Sequence, residues 1–224
     1  MRAAGDDLAA SGLRQQIDHA RDAAAAVSAV IAAGIVPAVL TNQHVTDNGR
    51  RFRCTLSDKQ EISATLVGED PLTDLAVLKL HLDELDDPTA PLPVAKLGDS
   101  DTLQVGDHVL AMGSPYSLSR SVTLGVASNT ERVLAGGLGG GDPDDMRLGR
   151  NQRTGLFTRW IQHDALINPG NSGGPLFNIR GEVIGINTAI INFAQGIGFA
   201  IPSNMVQSIT DQLRERGRVS RGWL

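Results

Sequence analysis

The segment Gly170-Asn171-Ser172-Gly173-Gly174-Pro175 places one serine among glycines, directly before a short apolar run that predicts a β-strand. A serine hydroxyl is a poor nucleophile until a neighbouring base takes its proton. The glycines allow a sharp turn and the close approach of a substrate carbonyl. We assign an oxyanion hole to Gly170, Asn171 and Ser172, with the amides of Gly170 and Ser172 as donors, each contributing about 3 kcal/mol of transition-state stabilisation. The segment therefore predicts that Ser172 is a catalytic nucleophile.

The order of catalytic residues along the chain separates two folds that share this motif. The pattern G-x-S-x-G also marks the nucleophile elbow of α/β-hydrolases, in which an acid and then a histidine follow the serine. Here His163 is the last of five histidines and it precedes Ser172. The order His, Asp, Ser is that of the trypsin fold. We therefore exclude an esterase of the elbow type and predict an all-β protein whose catalytic residues follow the trypsin-fold order.

His44 is the predicted general base. It follows the apolar run Ala38–Thr41, and the end of a strand places a side chain at the rim of a barrel, where a cleft can form. The other four histidines lie in a predicted helix, in or beside polar turns, or in a strand that leads away from the nucleophile: His19, His81, His108 and His163.

Asp74 is the predicted acid of the triad. It stands at the head of the apolar run Leu75–Leu80, where a carboxylate needs a partner because burying a lone charge is costly. Paired with His44, it would orient the imidazole and stabilise the imidazolium. Asp70, the competitor, precedes Pro71 and is assigned to a solvated turn. We interpret Asp164 as a structural carboxylate and predict no metal site.

Leu166 and Ile167 set the predicted specificity. They lie just before the nucleophile, where enzymes of this fold place the floor of the pocket for the residue preceding the cleaved bond. An aspartate there would select lysine or arginine. Leucine and isoleucine instead predict a shallow apolar pocket for valine, alanine or isoleucine. Asn171 replaces the acid that pairs with a freed N-terminus in digestive enzymes, so we expect no zymogen cleavage of that kind.

Composition excludes several other classes of protein and site. The chain has 224 residues, 41% of them hydrophobic, and a net charge of −5, which argues against a nucleic-acid partner. Cys54 is the single cysteine, so neither an internal disulfide nor a cysteine-based zinc site is possible. No apolar stretch is long enough to span a membrane. The first residues are too polar and acidic for a signal peptide, which leaves the compartment open.

Hydrophobic periodicity predicts a helix over Asp6–Ala33, although Val27, Val30 and Ile31 could instead start a strand. Two series of short strands follow. A second helix is predicted over Ser203–Arg216, with Ser203 as its N-cap and Gly217 as its stop signal. A glycine-rich loop, Arg132–Gly155, interrupts the second series. The predicted units are an N-terminal helical segment (1–34), a first barrel (35–100), a second barrel (101–204), and a C-terminal helix with the segment after it (205–224).

Further motifs occur in the same order as in one family of proteases. They are Leu40-Thr41-Asn42-Gln43-His44-Val45, Asp70-Pro71-Leu72-Thr73-Asp74-Leu75-Ala76-Val77-Leu78-Lys79, Leu97-Gly98-Asp99-Ser100, Ile161-Gln162-His163-Asp164-Ala165, Asn168-Pro169-Gly170-Asn171-Ser172-Gly173-Gly174-Pro175-Leu176, Gly185-Ile186-Asn187-Thr188-Ala189-Ile190, and Gly196-Ile197-Gly198-Phe199-Ala200-Ile201-Pro202-Ser203-Asn204. From about residue 38 to 224 the chain resembles the HtrA/Deg family of serine proteases.

The resemblance implies a chymotrypsin-like double β-barrel, with His44 and Asp74 in the first barrel and Ser172 in the second. It implies proteolysis of unfolded or misfolded proteins without ATP, metal or other cofactor. Residues 132–155 and 190–196 would be regulatory loops. Substrate would add as a strand along four consecutive residues: Asn187, Thr188, Ala189 and Ile190. The resemblance also implies a homotrimer and a location in the periplasm or cell envelope.

Three features depart from the family pattern. The run Ile31–Ala38 replaces a Gly-Ser-Gly strand, so we expect the first barrel to lack a strand or to be opened. Residues 218–224 resemble the lead-in to a PDZ domain that this chain does not contain. Residues 1–35 include no aromatic residue of the kind that builds the family's trimers. The sequence thus leaves two functions open: an active endopeptidase, and an impaired, holdase-like binder of unfolded chains.

Overall fold

The computed structural model describes residues 31–33, 36–47, 49, 51–56, 58–113, 121–133, 158–168, 170–190 and 196–221. Most of the predicted N-terminal helix lies outside these residues. Its last part, Ile31–Ala33, is a strand that pairs antiparallel with residues 36–38, so the prediction of helix there is wrong. Pairing with a neighbouring strand prevails over the helical preference of an alanine-rich run, because propensity is only a weak prior.

The first unit is an open, antiparallel sheet of five strands. The strands are β1 (Ile31–Ala33), β2 (Val36–Thr41), β3 (Phe52–Thr55), β4 (Glu61–Asp70) and β5 (Leu75–Leu80). Their order is β1-β2-β5-β4-β3, so β1 and β3 are the edges and β5 is central. Every side chain of β5 except Lys79 is buried. Within the described residues this sheet does not close.

The second unit is a closed, six-stranded barrel. Its strands are β6 (His108–Gly113), β7 (Ser121–Val133), β8 (Arg159–His163), β9 (Pro175–Asn178), β10 (Val183–Ile190) and β11 (Gly198–Pro202). They close in the order β10-β11-β8-β7-β6-β9. Strand β7 continues through Val133, so the predicted loop does not begin at Arg132, and residues 134–155 of that loop lie outside the described chain.

In the part of the chain that the structure describes, two α-helices accompany the strands, and the second of them packs against both units. Helix α1 (Gln43–Thr46) is a single turn directly after β2, and α2 (Ser203–Arg216) follows β11 with the predicted bounds. Two short 3₁₀ helices occupy Leu82–Glu84 and Ser100–Thr102. No helix among the described residues is long and apolar enough to cross a membrane. The all-β class with a C-terminal helix is thus as predicted.

Helix α2 is anchored at both ends, although not by the predicted cap. Pro202 is the N-cap, and the Ser203 hydroxyl donates instead to the Gly98 carbonyl at 2.7 Å. At the other end Gly217 adopts φ +67° and its amide donates to the Leu213 carbonyl at 2.8 Å, as expected of a glycine stop.

Two apolar clusters hold the barrel and join it to the sheet. Small and aliphatic side chains such as Val109, Ala111 and Leu176 form one cluster within the barrel strands. The other cluster brings together side chains of the barrel, of α2 and of the first sheet, among them Trp160, Phe177, Phe199, Leu213 and Val77. Burying each large side chain contributes about 1.5–3 kcal/mol. This shared core fixes the two units that carry the site.

Candidate active site

His44 and Asp74 form the pair that the sequence predicted. The His44 Nδ1 atom lies 2.8 Å from Asp74 Oδ2, and the His44 amide donates to Oδ1 at 3.0 Å. The Asp74 side chain is 4% exposed, whereas that of His44 is 32% exposed. A proton on Nδ1 satisfies the carboxylate and leaves Nε2 free to accept a proton from a nucleophile.

The backbone of Asp74 is held in an unusual conformation. Its φ angle of +57° is rare for a residue other than glycine. The Asp74 carbonyl accepts from the Gln43 amide at 3.1 Å and from the side-chain amide of Asn42 at 3.0 Å. These bonds tie the head of β5 to the end of β2 and to α1, and they fix the direction in which the carboxylate points.

Thr188 connects this pair to Ser172. Its hydroxyl donates a short hydrogen bond to Asp74 Oδ2, and its carbonyl accepts from the Ser172 hydroxyl at 3.3 Å. Thr188 belongs to β10 of the barrel, so its side chain crosses between the two units. We had placed Thr188 only in the substrate strand. No local pattern reveals the second role, because the hydroxyl meets an aspartate 114 positions earlier.

The loop before Ser172 carries the residues that the sequence assigns to an oxyanion hole. Gly170 adopts φ +105°. The Asn171 amide donates to the Asn168 carbonyl at 3.0 Å, so it is not available to a substrate. Within the described residues the amides of Gly170 and Ser172 donate no hydrogen bond. Asn171, which was included in the predicted hole but not as a donor, closes the turn that leads to Ser172.

Ser172 lies in the turn before β9 and joins the network through Thr188. Within the described residues its hydroxyl bonds to the Thr188 carbonyl, and no hydrogen bond links it to His44. Hydrogen bonds between catalytic groups commonly form or tighten only when substrate binds. The structure thus brings His44 and Asp74 together and links Asp74 to Ser172 through one residue.

The two predicted pocket residues have different environments. Leu166 is 53% exposed, whereas Ile167 is buried. A Cβ atom built on Gly198 would lie 2.9 Å from Ile167 Cγ1 and 2.7 Å from His163 Cε1. Ile167 and His163 therefore pack against the backbone of β11, and Leu166 is the accessible one of the two apolar residues. Its carbonyl accepts from the side-chain amide of Asn171 at 3.3 Å.

Two acidic residues outside the triad have structural partners. Asp164 Oδ1 accepts from the Val126 amide at 2.6 Å, which agrees with the structural role we assigned to it. Asp70 is not solvated as predicted: it is only 4% exposed and pairs with Arg221. Among the described residues, no group of three or more His, Cys, Asp or Glu side chains is arranged to hold a metal ion.

His163 is fully buried in β8, and neither ring nitrogen has a hydrogen-bond partner in the part of the chain that the structure describes. Burial lowers the pKa of His163 to about 4, and the nearby Asn187 amide and Asp164 carboxylate offset only part of this effect. In the unfolded chain this histidine has its ordinary pKa of about 6.5 and takes up a proton below that pH. The folded protein keeps the same imidazole neutral down to a pH of about 4.

This difference predicts that acid destabilises the fold. Stability is retained above about pH 6.5 and is lost as the pH falls toward about 4, because the unfolded state binds more protons in that window. We expect His163 to account for about 2 kcal/mol of the loss between about pH 7.5 and about pH 5. Urea unfolding of the wild type and His163→Leu at both pH values measures it. A variant as acid-sensitive as the wild type would contradict the prediction.

Comparison with known proteins now gives the class of the domain. Residues 27–186 match the model of the trypsin-like peptidase domain. The chain is 45% identical over 189 residues to a "Probable periplasmic serine endoprotease DegP-like" from Marinomonas sp. (strain MWYL1), covering 83% of this chain and 35% of that protein. A protein of the same description from Chlamydia trachomatis is 44% identical over 190 residues, covering 83% of this chain and 33% of the relative.

Solved structures agree with the sequence relatives. The HtrA-type protease AlgW with a decapeptide is similar with a TM-score of 0.68 and 41% identity, over 87% of this chain and 53% of that one. A serine endoprotease from Yersinia pestis is similar with a TM-score of 0.64 and 37% identity, over 84% of this chain and 57% of that one. These likenesses support a chymotrypsin-like fold built from two barrels.

The chain belongs to the family of trypsin-like peptidase domains, and it is of the HtrA/Deg type, as its sequence motifs predicted. Serine-type endopeptidase is the class that this domain defines. The chain spans about a third of the length of the curated relatives it matches.

Proposed function

We propose that this chain is a serine endopeptidase that cleaves unfolded or misfolded polypeptides with Ser172 as nucleophile, His44 as general base and Asp74 as the orienting acid. The observation that carries the proposal is the continuous set of hydrogen bonds from the His44 ring to Asp74, on to Thr188 and then to the Ser172 hydroxyl. This set of hydrogen bonds joins residues of both units. A histidine is suited to act as the base, an aspartate to orient it, and a serine to act as the nucleophile.

The proposed reaction has two halves. In the first, Ser172 Oγ attacks the substrate carbonyl carbon while His44 Nε2 takes the hydroxyl proton. The amides of Gly170 and Ser172 stabilise the oxyanion, which collapses as His44 returns the proton to the leaving amine. In the second half, His44 takes a proton from a water that attacks the acyl ester. His44 then passes this proton to the Ser172 oxygen as the ester bond breaks. The products are a carboxylic acid and an amine, and the enzyme is regenerated.

The course of β10 supports an extended polypeptide as the substrate. This strand pairs with β9 only as far as Ile186, whereas its pairing with β11 continues to Ile190. Beyond Asn187, whose backbone bonds to Gly173 and Gly174, the edge on the β9 side has no strand partner among the described residues. A peptide could add there by strand pairing, which requires an unfolded segment. The Thr188 carbonyl would then accept a substrate amide once the Ser172 hydroxyl turns toward His44.

The proposal also covers the residue preferred before the cleaved bond, the cellular location and the oligomeric state. The exposed apolar side chain of Leu166 beside the buried Ile167 favours a small aliphatic residue before the cleaved bond. The relatives are named as periplasmic, which supports a location in the periplasm or cell envelope. A homotrimer stays a prediction from family resemblance.

Incubation with a reduced, unfolded protein tests the proposed function. The wild type should cleave it, and peptide mapping should place small aliphatic residues before most cuts. Ser172→Ala should lose at least about 10³-fold in kcat, because the triad acts as a unit. Equal cleavage by Ser172→Ala, or cuts mainly after lysine or arginine, would refute the nucleophile or the pocket assignment respectively.

The open first sheet favours one alternative, a binder that holds unfolded chains without cutting them. His44 and Asp74 lie on that sheet, so a loose sheet could leave them out of register with Ser172. Such a protein would suppress aggregation of the unfolded substrate, equally well as wild type and as Ser172→Ala, and would yield no fragments. Fragments from the wild type alone decide against it.

A further inference from the structure

The turn between β4 and β5 carries the triad acid at its last position. Asp70 ends β4, and its Oδ2 atom accepts from the Thr73 amide at 3.2 Å and, at shorter distance, from the Thr73 hydroxyl. These bonds fold the chain back on itself over four residues. Asp74 follows immediately, in the left-handed conformation that aims its carboxylate at His44. The Asp70 carboxylate therefore shapes the turn on which Asp74 depends.

Arg221 completes the environment of Asp70 from a distant part of the sequence. Its Nη1 atom donates to Oδ1 at 2.8 Å and its Nη2 atom to Oδ2 at 2.5 Å, a bidentate pair. The Asp70 side chain is 5% exposed, and a lone charge buried to that extent would be costly. Burial alone would raise the pKa of Asp70, but the hydrogen bonds from Arg221 and Thr73 outweigh burial and hold it below its usual range.

The segment that carries Arg221 is held along β4. After the Gly217 stop of α2, the Ser220 amide donates to the side chain of Gln212 at 3.2 Å, so the chain turns back beside its own helix. A Cβ atom built on Gly68 of β4 would lie 2.7 Å from the Gly217 carbonyl oxygen, which shows how closely the two backbones approach. Residues 217–221 are thus directed toward the end of β4, where Asp70 lies.

We propose that Arg221 is a positioning residue for the triad, which acts through Asp70 and the Thr73 turn to hold Asp74 in line with His44. The inference rests on the proposed function and adds a residue that no sequence motif of the site includes. It also makes the cleavage rate depend on where residues 217–221 lie. The Arg221 side chain is 39% exposed, so solvent or another part of a polypeptide can reach it, whereas Asp74 is shielded.

Arg221→Ala in the full chain is the first test. Without its cation, Asp70 keeps a buried charge that must draw in water or a proton, and the turn that ends at Asp74 loosens. We expect kcat to fall at least about 10-fold with KM unchanged, since small misplacements of catalytic groups are this costly. The acid limb of the pH profile of kcat/KM, which reports the general base, should also shift by about half a pH unit. If Arg221 had only a structural role, Arg221→Ala would lower Tm and leave the acid limb of the kcat/KM profile unchanged.

Two further variants sharpen the test. Arg221→Lys keeps the charge but not the bidentate geometry, so it should fold and recover part of the lost kcat. Arg218→Ala is the matched control, because Arg218 lies in the same segment, is exposed and has no side-chain hydrogen bond within the described residues. We expect wild-type kcat and pH profile from this control.

The outcomes separate this inference from the proposed function. Wild-type kcat and an unmoved acid limb in both Arg221 variants, in a protein whose Ser172 reacts with a fluorophosphonate, would overturn the role of Arg221 alone. A wild type that does not react with the probe and does not cleave would remove the proposed function and this inference together.

Discussion

Asp74→Asn should lower kcat about 10⁴-fold, the size of effect that this change has in Ser-His-Asp enzymes. Asp74 Oδ2 accepts from both the His44 ring and the Thr188 hydroxyl. An amide nitrogen at this position would donate instead, and it would favour the His44 tautomer that carries its proton on Nε2. That tautomer cannot accept the proton of Ser172, so the nucleophile stays inactive although the fold is intact.

Steady-state kinetics on a peptide substrate measure this effect, with circular dichroism and Tm as checks on folding. Asp164→Asn is the matched control, because Asp164 is a carboxylate of the barrel that accepts a backbone amide and lies outside the triad. We expect its kcat to stay within about threefold of the wild type, as for substitutions that leave the catalytic groups in place. A loss below about 10-fold in Asp74→Asn would contradict the role of Asp74 as the orienting acid.

Gly173→Ala should abolish catalysis by displacing the residue before it, Ser172. Gly173 adopts φ +79°, and a Cβ atom there would collide with the Thr41 hydroxyl and lie 3.1 Å from the Asn42 amide nitrogen. Its own amide also donates to the Asn187 carbonyl at 2.8 Å. The loop must move to admit a methyl group, and a shift of about 1 Å in a catalytic group costs about 100-fold or more in rate.

Gly106→Ala separates the collision from the strain of the backbone. Gly106 has a similar φ of +96°, but a Cβ atom there would meet nothing within 4 Å. This control should cost about 1–3 kcal/mol of stability through backbone strain and leave kcat unchanged. Equal kinetics in the two alanine variants would show that the space around Gly173 does not matter for catalysis.

The features predicted correctly from the sequence are those that leave a pattern along the chain. The bounds of Leu75–Leu80 and Ser203–Arg216 follow from apolar periodicity and from a glycine stop, and both match the structure. The pairing of His44 with Asp74 followed from chain order and from the cost of a buried charge, and the structure places them 2.8 Å apart. Chain order is informative here because the order of triad residues along a chain reflects the topology of the fold.

The errors have physical causes of two kinds. The burial of Asp70 and the bond from Thr188 to Asp74 were not predicted, because the partners lie 151 and 114 positions apart and only the packed fold brings them together. The turn bond from the Asn171 amide to the Asn168 carbonyl was also not predicted, although it is a local feature that a glycine-containing turn could have suggested.

Labelling with a fluorophosphonate at neutral pH, followed by mass spectrometry of the tryptic peptides, tests most directly whether these residues form a working triad. The probe bonds only to a serine whose proton a base removes, so it reports the assembled site without a substrate. We predict one adduct, on Ser172, that disappears in Ser172→Ala and is slowed at least about 10³-fold in His44→Ala, because the triad acts as a unit. A folded wild type without an adduct, or with an adduct on another residue, would contradict the assignment.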